Sequence, residues 1–313
     1  MMKVKSNFFA KWKLKHQEPV IYQRRGKQKI AFGIVLGIFI LYSLLLLIPI
    51  FMMLMNSLKQ ALEYNEQMFE GTAMYTLPKK ISFDNYVLAF KLMKVPTSKG
   101  DVYLLEMAWH SLWTSLFPSL ISIYTQLSFA YVCARYKFFG NKFLYGFSLA
   151  LMIIPVFGTT GTSLKLAMFL GIYNKPIQMF VTAISGFGMS MFILGGFFKG
   201  ISWEYAEAVF IDGGGHFTVF FKIMLPQARS IALVYFLSNF LAMYGDYTSR
   251  MLFMPDYITI AVGLYFEQML LPREGNAPAY FAALFMSAIP ILAFYIAFGK
   301  TFMTSMNIGG LKG

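Results

Sequence analysis

The chain has 313 residues, of which 58% are hydrophobic and 13% are charged, and its net charge is +13. Soluble domains carry about 25% charged residues, so this composition excludes a soluble globular protein and indicates a protein embedded in a lipid bilayer. The single cysteine, Cys133, excludes a disulfide within the chain and a thiolate metal cluster.

Six segments lack Asp, Glu, Lys and Arg, and most reach the length of about 20 residues that a helix needs to cross a bilayer. They are residues 30–55, 107–134, 143–164, 176–198, 230–245 and 275–299. We therefore predict an all-α polytopic membrane protein with six transmembrane helices.

Prolines inside four of these segments predict kinked helices; they are Pro49, Pro118, Pro155 and Pro290. The apolar segment 257–266 is too short to span and is predicted to be re-entrant or interfacial.

The distribution of Lys and Arg predicts the orientation of the chain in the membrane. The first 29 residues contain nine basic residues and one acid, and basic segments are retained in the cytoplasm. With six spans, both termini are cytoplasmic and the whole basic excess lies on that side, so nucleic-acid binding is not needed to explain it. The predicted parts are a basic arm (1–29), a first transmembrane helix (30–55), an extracytoplasmic loop (56–106), a five-helix core (107–303) with an inner loop (199–229), and a cytoplasmic tail (304–313).

The inner loop 199–229 has an unusual composition for a connector. SWEYAEAVFI (202–211) predicts a short helix with Ser202 as N-cap and Glu204 in the first turn. Asp212 and the three glycines after it allow a sharp break, because glycine adopts backbone conformations that a Cβ forbids. HFTVFFKIML (216–225) then predicts a second helix, which Pro226 bends away. We call this predicted helix-turn-helix, residues 202–227, the elbow, and expect it to dock a cytoplasmic partner.

The segment EAVFIDGGGHFTVFFKIMLP (207–226) resembles the EAA loop of permease subunits of binding-protein-dependent ABC importers. The family pattern is E-A-A, two residues, then D-G-A-x-x-x-x-x-F-x-x-I-x-L-P. The matching residues are Glu207, Ala208, Asp212, Gly213, Phe220, Ile223, Leu225 and Pro226. The chain departs from the pattern at Val209, which replaces a small residue, and at Gly214, which replaces alanine. We expect Val209 to make the first helix bulkier and Gly214 with Gly215 to make the elbow looser.

Four further segments resemble the sugar-type branch of this family and are similar to the smaller permease of maltose importers. They are MNSLK (55–59), AYVCARYKFFGNK (130–142), YITIAVGLYF (257–266) and the terminal GGLKG. The resemblance runs from about residue 30 to the end of the chain. It implies the type I ABC importer permease fold, the plasma membrane of a bacterium, and a carbohydrate substrate, an oligosaccharide.

The resemblance also implies partners. They are a second permease subunit in a heterodimer, two cytoplasmic ATPase subunits and an extracytoplasmic sugar-binding protein. The chain is expected to have no cofactor and no enzymatic activity, because ATP is hydrolysed by a separate subunit. Gly299-Lys300-Thr301 is no nucleotide site, since Phe294 stands where a phosphate-binding loop needs its first glycine.

In such importers the elbow inserts into a cleft of the ATPase subunit, which defines the expected coupling site. Its members are Glu204, Glu207, Ala208, Asp212, Gly213, Gly214, Phe220 and Pro226. We expect Glu207 to be the main polar contact to the ATPase and Gly213 to permit the turn.

Asp246 lies at the outer end of the fifth predicted span, where an acid is costly enough to be a functional candidate. Two interpretations stay open: an interface acid that is solvated or paired with Arg250, or part of an outer gate or sugar path. His110 and His216 lack a second ligand at helical spacing, so they are predicted to be interfacial polar residues and no metal site is expected.

Two other classes of function compete with the importer. An ion-coupled secondary transporter acting without an ATPase needs intramembrane carboxylates and an internal repeat, and the predicted spans offer neither. A membrane enzyme needs a nucleophile, a base or metal ligands together, and the apolar segments contain no such group.

Overall fold

The computed structural model describes residues 26–154, 158–274 and 276–306, and these are mostly helical. The chain divides into two compact units, Met1–Met52 and Met53–Gly313. The elements in chain order are α1 Gly26–Ser57, α2 Ala61–Phe69, α3 Asp84–Leu92, β1 Lys94–Thr97, β2 Gly100–Tyr103, α4 Leu104–Arg135, α5 Asn141–Ile153, α6 Thr159–Phe169, α7 Pro176–Ala183, α8 Met189–Gly200, α9 Glu204–Ile211, α10 His216–Gln227, α11 Arg229–Gly245, α12 Tyr247–Phe253, α13 Ile260–Glu274 and α14 Ala277–Met306.

Three of the described helices are long and apolar enough to cross a membrane. They are Ile30–Ser57 within α1, Leu104–Arg135 (α4) and Ala277–Gly299 within α14. A fourth span results if α10 and α11, which meet at an angle of 74°, are counted together. The predicted spans 143–164 and 176–198 are not continuous helices in the described residues, since each consists of two shorter ones.

The break in the span predicted at 176–198 is stabilised by side chains from other helices. Gly188 has φ +97°, a backbone conformation that L side chains rarely adopt. Its N–H donates to the Ser148 hydroxyl over 2.7 Å, and the N–H of Ser185 donates to the Thr125 hydroxyl over 3.2 Å. Backbone groups freed at a helix break must be satisfied internally in a membrane, and these hydroxyls do so here.

Three of the four prolines expected within spans lie inside described helices. Pro49, Pro118 and Pro290 are in α1, α4 and α14 respectively. Pro155 lies outside the described residues.

Helix α4 is the centre of the second unit, and it packs against α8 and α11. One cluster of buried apolar residues surrounds the end of α4 near Tyr131 and includes Phe198 of α8 and Phe240 of α11. We call it the elbow cluster, because residues of the elbow complete it. A second cluster surrounds Leu104 and Met107 and includes Val95 and Val102 of the two strands; we call it the hairpin cluster.

The predicted extracytoplasmic loop 56–106 is structured, and it contains the only strands among the described residues. The antiparallel hairpin β1–β2 pairs Val95 with Val102, and its inward valines join the hairpin cluster. An all-α assignment missed this hairpin because each strand has only four residues.

Immediately after α1, Lys59 is fully buried and donates to the Thr76 hydroxyl over 3.0 Å. This burial lowers the pKa of its ammonium group.

Asp256 ties the hairpin to the rest of this region. Its carboxylate accepts from the Ser98 hydroxyl at 2.7 Å and from the Asn174 amide at 2.8 Å, and the Lys99 ammonium lies 3.8 Å away. The hydrogen bonds from Ser98 hold the pKa of Asp256 below its usual range, although its desolvation acts in the opposite direction.

The segment 257–266, predicted to be re-entrant or interfacial, includes the start of α13, which begins at Ile260. Ile258, Ile260 and Val262 are buried in the hairpin cluster, and the Ile260 N–H donates to the Ser111 hydroxyl over 2.7 Å. His110 is also buried here, with Nδ1 at 3.0 Å from the Ile258 carbonyl oxygen, so it holds this segment against α4.

Candidate coupling site

The first helix of the elbow, α9, ends in a Schellman motif. Gly213 has φ +78°. Its N–H donates to the Phe210 carbonyl over 3.0 Å, and the Gly214 N–H donates to the Val209 carbonyl over 2.8 Å. These two bonds satisfy carbonyl groups that a helix end would otherwise leave free. The break predicted after Asp212 is therefore a defined turn whose backbone conformation favours glycine at 213.

The start of α9 differs slightly from the prediction. Trp203 occupies the N-cap position, one residue later than expected, and it makes no side-chain capping bond. The Ser202 hydroxyl still accepts from the Glu204 N–H at 3.3 Å. Ser202 thus supplies a hydrogen bond to the first turn from one position further out.

The second helix of the elbow, α10, contains a π-helical turn over Phe220–Met224 and bends later than predicted. Proline lacks an N–H, and its ring displaces the carbonyl four residues before it, so Pro226 disfavours regular α-helical bonding in this turn. The Leu225 N–H bonds to the Phe220 carbonyl instead. The 74° bend into α11 falls after Gln227, so Pro226 precedes the bend and does not mark it.

The inner face of the elbow belongs to the elbow cluster. Ala206, Val219 and Met224 are fully buried, and Phe220 is 7% exposed with its ring 5.1 Å from that of Tyr131 on α4. Because both elbow helices contribute to one core with α4, α8 and α11, the elbow is fixed to the helices that it connects.

The opposite face of the elbow is exposed and combines apolar and acidic side chains. Ile211 is 85% exposed and Phe217 is 82% exposed. The predicted site residues Glu204, Glu207, Ala208 and Asp212 are also exposed. In the described part of the chain, no basic side chain lies within ion-pair distance of these three acids. We call this set of residues the docking face.

An aromatic contact across the elbow was not predicted from the sequence. His216 Nδ1 lies 2.9 Å from the Tyr136 hydroxyl, and its ring is 5.0 Å from the ring of Phe210. The Tyr136 hydroxyl is in turn 3.1 Å from that of Tyr131. His216 therefore joins the two elbow helices to each other and to the turn after α4.

The two departures from the family pattern, Val209 and Gly214, lie against each other. A Cβ at Gly214 would be 2.5 Å from Val209 Cγ1 and 2.9 Å from the Val209 carbonyl oxygen. The larger residue at 209 thus occupies the space that an alanine at 214 would need. Gly214 thus lets the turn pack closely against Val209, and whether it makes the elbow looser stays a prediction.

This contact predicts that the two positions are coupled. Gly214→Ala should destabilise the elbow by about 1–3 kcal/mol, the usual range for overpacking a filled site. In a Val209→Ala background the clash with Cγ1 is absent, so the same substitution should cost less. Thermal unfolding of the four purified variants of a double-mutant cycle measures the difference. Strictly additive effects would contradict the contact.

Asp246 is the N-cap of α12, where its Oδ1 accepts from the Ser249 N–H at 3.0 Å. Among the described residues no Arg250 nitrogen lies within ion-pair distance of Asp246, although the two charges attract each other; the Arg250 guanidinium is buried and donates to the Thr114 carbonyl over 2.9 Å and to Met179 Sδ. Capping accounts for an acid at this position. A part in an outer gate or sugar path stays a prediction.

Three long apolar helices, and an elbow whose inner face joins the buried core of the second unit, are typical of a polytopic membrane protein. Residues 126–299 match the family described as the binding-protein-dependent transport system inner membrane component, and the chain belongs to this family. It is a transport protein of the bacterial plasma membrane, and its family is one of permeases and not of enzymes. The resemblance drawn from the sequence is therefore confirmed.

Individual relatives support the same assignment. The chain is 31% identical over 198 residues to the maltodextrin transport system permease protein MdxG of Bacillus subtilis, covering 62% of this chain and 69% of the relative. It is 28% identical over 241 residues to the galactooligosaccharides transport system permease protein GanQ of the same species, covering 76% and 82%. The fold of this chain is shared by a chain in the crystal structure of a bacterial ABC transporter involved in the import of the acidic polysaccharide alginate, with a TM-score of 0.66, 18% identity and coverage of 89% of this chain and 99% of that chain.

Proposed function

We propose that this chain is the permease subunit of an ATP-driven importer and that its elbow couples transport to a separate cytoplasmic ATPase. The main support for the proposal is the composition of the docking face, where exposed Ile211 and Phe217 lie beside three acids. The helices that present these residues have their inner faces packed in the elbow cluster. Apolar side chains exposed to this degree, and bordered by polar groups, are typical of protein interaction sites. The match of the elbow sequence to the EAA pattern supports an ATPase as the partner.

The elbow has the properties that mechanical coupling needs. A displacement applied at the docking face reaches α11 through α10, because Val219, Phe220 and Met224 are packed against α4, α8 and α11. Packed interfaces of this kind shift as units and do not deform continuously. Closure of two ATPases would therefore move the connected spans and alternate the access of the pathway between the two sides.

We further propose that the cargo is a carbohydrate, an oligosaccharide. The names of the relatives MdxG and GanQ refer to maltodextrin and galactooligosaccharides, which share a class but differ in sugar. The proposed assembly contains a second permease as heterodimer partner, two ATPase subunits and an extracytoplasmic sugar-binding protein. In this assembly the bilayer and the partner permease cover the apolar surfaces of the chain.

An ion-coupled secondary transporter is the alternative, and it makes a different prediction. It would take up substrate in liposomes under an ion gradient with no ATPase present. The importer requires ATP and its partner subunits, so uptake by the chain alone would overturn the proposal.

Charge reversal at the docking face tests the coupling. Glu207→Lys should weaken association with the ATPase subunit by about tenfold or more, because a favourable contact becomes a repulsive one. Since Glu207 is exposed, the fold of the permease should be unaffected. Co-purification of the ATPase and ATP-dependent uptake in proteoliposomes measure the effect.

The matched control is Glu66→Lys, which reverses an exposed glutamate on α2, in the predicted extracytoplasmic region. It should leave ATPase association unchanged. If both reversals had the same effect, or if Glu207→Lys retained wild-type coupling, the docking face would not be the contact to the ATPase.

A further inference from the structure

A basic cavity lies next to the elbow, between the ends of three helices. Its volume is about 730 Å³, and it is lined by the end of α4, the turn 136–140, the first turn of α5 and Lys199 near the end of α8. The same turn carries Tyr136, which contacts His216 of the elbow. The cavity therefore lies on the same side of the protein as the docking face.

Positive charge converges on this cavity. Arg135, Lys137, Lys142 and Lys199 line it, and no acidic residue does. Among the described residues, none of the four cations has a carboxylate within ion-pair distance. The first turn of α5, a helix of 13 residues, adds the partial positive charge of its N-terminus. Such an arrangement is stabilised by a bound anion, which reduces the repulsion between the cations.

Two hydrogen-bond donors among the lining residues lack partners. Arg135 Nε and the Tyr145 hydroxyl are buried, and neither has a hydrogen-bond partner in the described structure. The acceptor Asn141 Oδ1 on the same lining also lacks a partner. All three atoms are enclosed by the protein, so an anion in the cavity would be held by the cations of the lining and not by these groups.

The surface beyond the cavity is apolar. Further along α5 the side chains of Phe143, Phe147 and Ile153 are exposed. A soluble anion would make no use of this face, whereas an acyl chain would cover it. Basic pockets between transmembrane helices on the cytoplasmic side bind the headgroups of anionic lipids, and this geometry has both of the parts required.

We propose that the cavity binds the headgroup phosphate of an anionic phospholipid, with an acyl chain along α5. The cytoplasmic leaflet follows from the topology of the proposed function, on which this part of the inference rests; the binding itself does not depend on the ATPase. Lys142 and Lys199 are the expected electrostatic contacts. Arg135 contributes as well, but its guanidinium also bonds to the Ile201 carbonyl and supports the fold.

Native mass spectrometry of the full-length chain, released from nanodiscs of mixed phosphatidylglycerol and phosphatidylcholine, tests the proposal. The wild-type chain should retain phosphatidylglycerol preferentially. The double variant Lys142→Gln/Lys199→Gln should lower this preference about tenfold. The control Arg229→Gln removes an exposed charge on the same predicted side but outside the cavity, and should retain the lipid as the wild type does.

Each other outcome would overturn the proposal. Equal retention by wild type and double variant would show that the cavity is not the lipid site. Release of the lipid by millimolar inorganic phosphate would identify a soluble anion as the occupant, and release on adding the ATPase subunit would assign the cavity to a protein interface. Because lipid retention by the wild type and the variants is compared before any ATPase is added, a negative result leaves the coupling proposal standing, and failed coupling of Glu207→Lys leaves lipid binding testable.

Discussion

Replacing Gly213 by valine should abolish ATP-dependent uptake while leaving insertion into the membrane normal. Gly213 has φ +78°, and a β-branched residue in this region of backbone space is a strong outlier. Holding it there costs about 1–3 kcal/mol, and the elbow would relax by giving up the bonds to the Phe210 and Val209 carbonyls. The docking face would then lose its fixed geometry. Uptake in proteoliposomes and the amount of protein in the membrane are the two measurements.

Substitutions at Gly213 and Gly215 distinguish the effect of backbone conformation from the effect of steric crowding. No atom lies within 4 Å of a Cβ built at Gly213, so the loss of function would come from its φ alone. Asparagine tolerates this conformation, and Gly213→Asn should retain much of the uptake. Gly215 has an extended backbone and open space around it, and as the N-cap of α10 it should accept serine without loss. Wild-type uptake by Gly213→Val would refute the requirement for the turn.

The turn was predictable from the sequence because its determinant is local. An Asp followed by three glycines between two apolar segments indicates a helix break whatever tertiary structure surrounds it. The position of the bend after Gln227 was less accessible, since Pro226 is accommodated by a π-helical turn that depends on the packing of Phe220 and Met224. The local sequence determines that the chain bends here, and tertiary packing determines the residue at which it bends.

The divided spans and the aromatic contact depend on residues far apart in the sequence. The segment 176–198 reads as a continuous apolar helix, and its break is stabilised by Thr125 and Ser148 on other helices. His216 and Tyr136 are 80 residues apart. A single sequence contains no periodic pattern that indicates contacts between residues so far apart. The exposure of Ile211 and Phe217 could have been predicted, because both residues flank the predicted turn. Apolar side chains at a turn have few buried neighbours to pack against.

The double variant Ile211→Ser/Phe217→Ser should lower the affinity for the ATPase more than any single acidic substitution. Large apolar side chains at the centre of an interface are frequent hot spots that cost about 2 kcal/mol or more each when truncated. Two such losses correspond to a reduction in affinity of about 1,000-fold. Because these side chains are 85% and 82% exposed, removing them should cost the isolated permease little stability. Titration of the ATPase subunit onto the reconstituted permease measures the affinity.

Phe69 on α2 is the matched control, since it is 94% exposed and lies in the predicted extracytoplasmic region. Phe69→Ser should leave ATPase affinity unchanged, which would show that the loss requires the docking face and not a general decrease in exposed apolar surface. The thermal stability of all variants must stay close to that of the wild type for the comparison to hold. If the double variant bound the ATPase with wild-type affinity, Ile211 and Phe217 would have to face lipid or another subunit, and the elbow would couple through its acids alone.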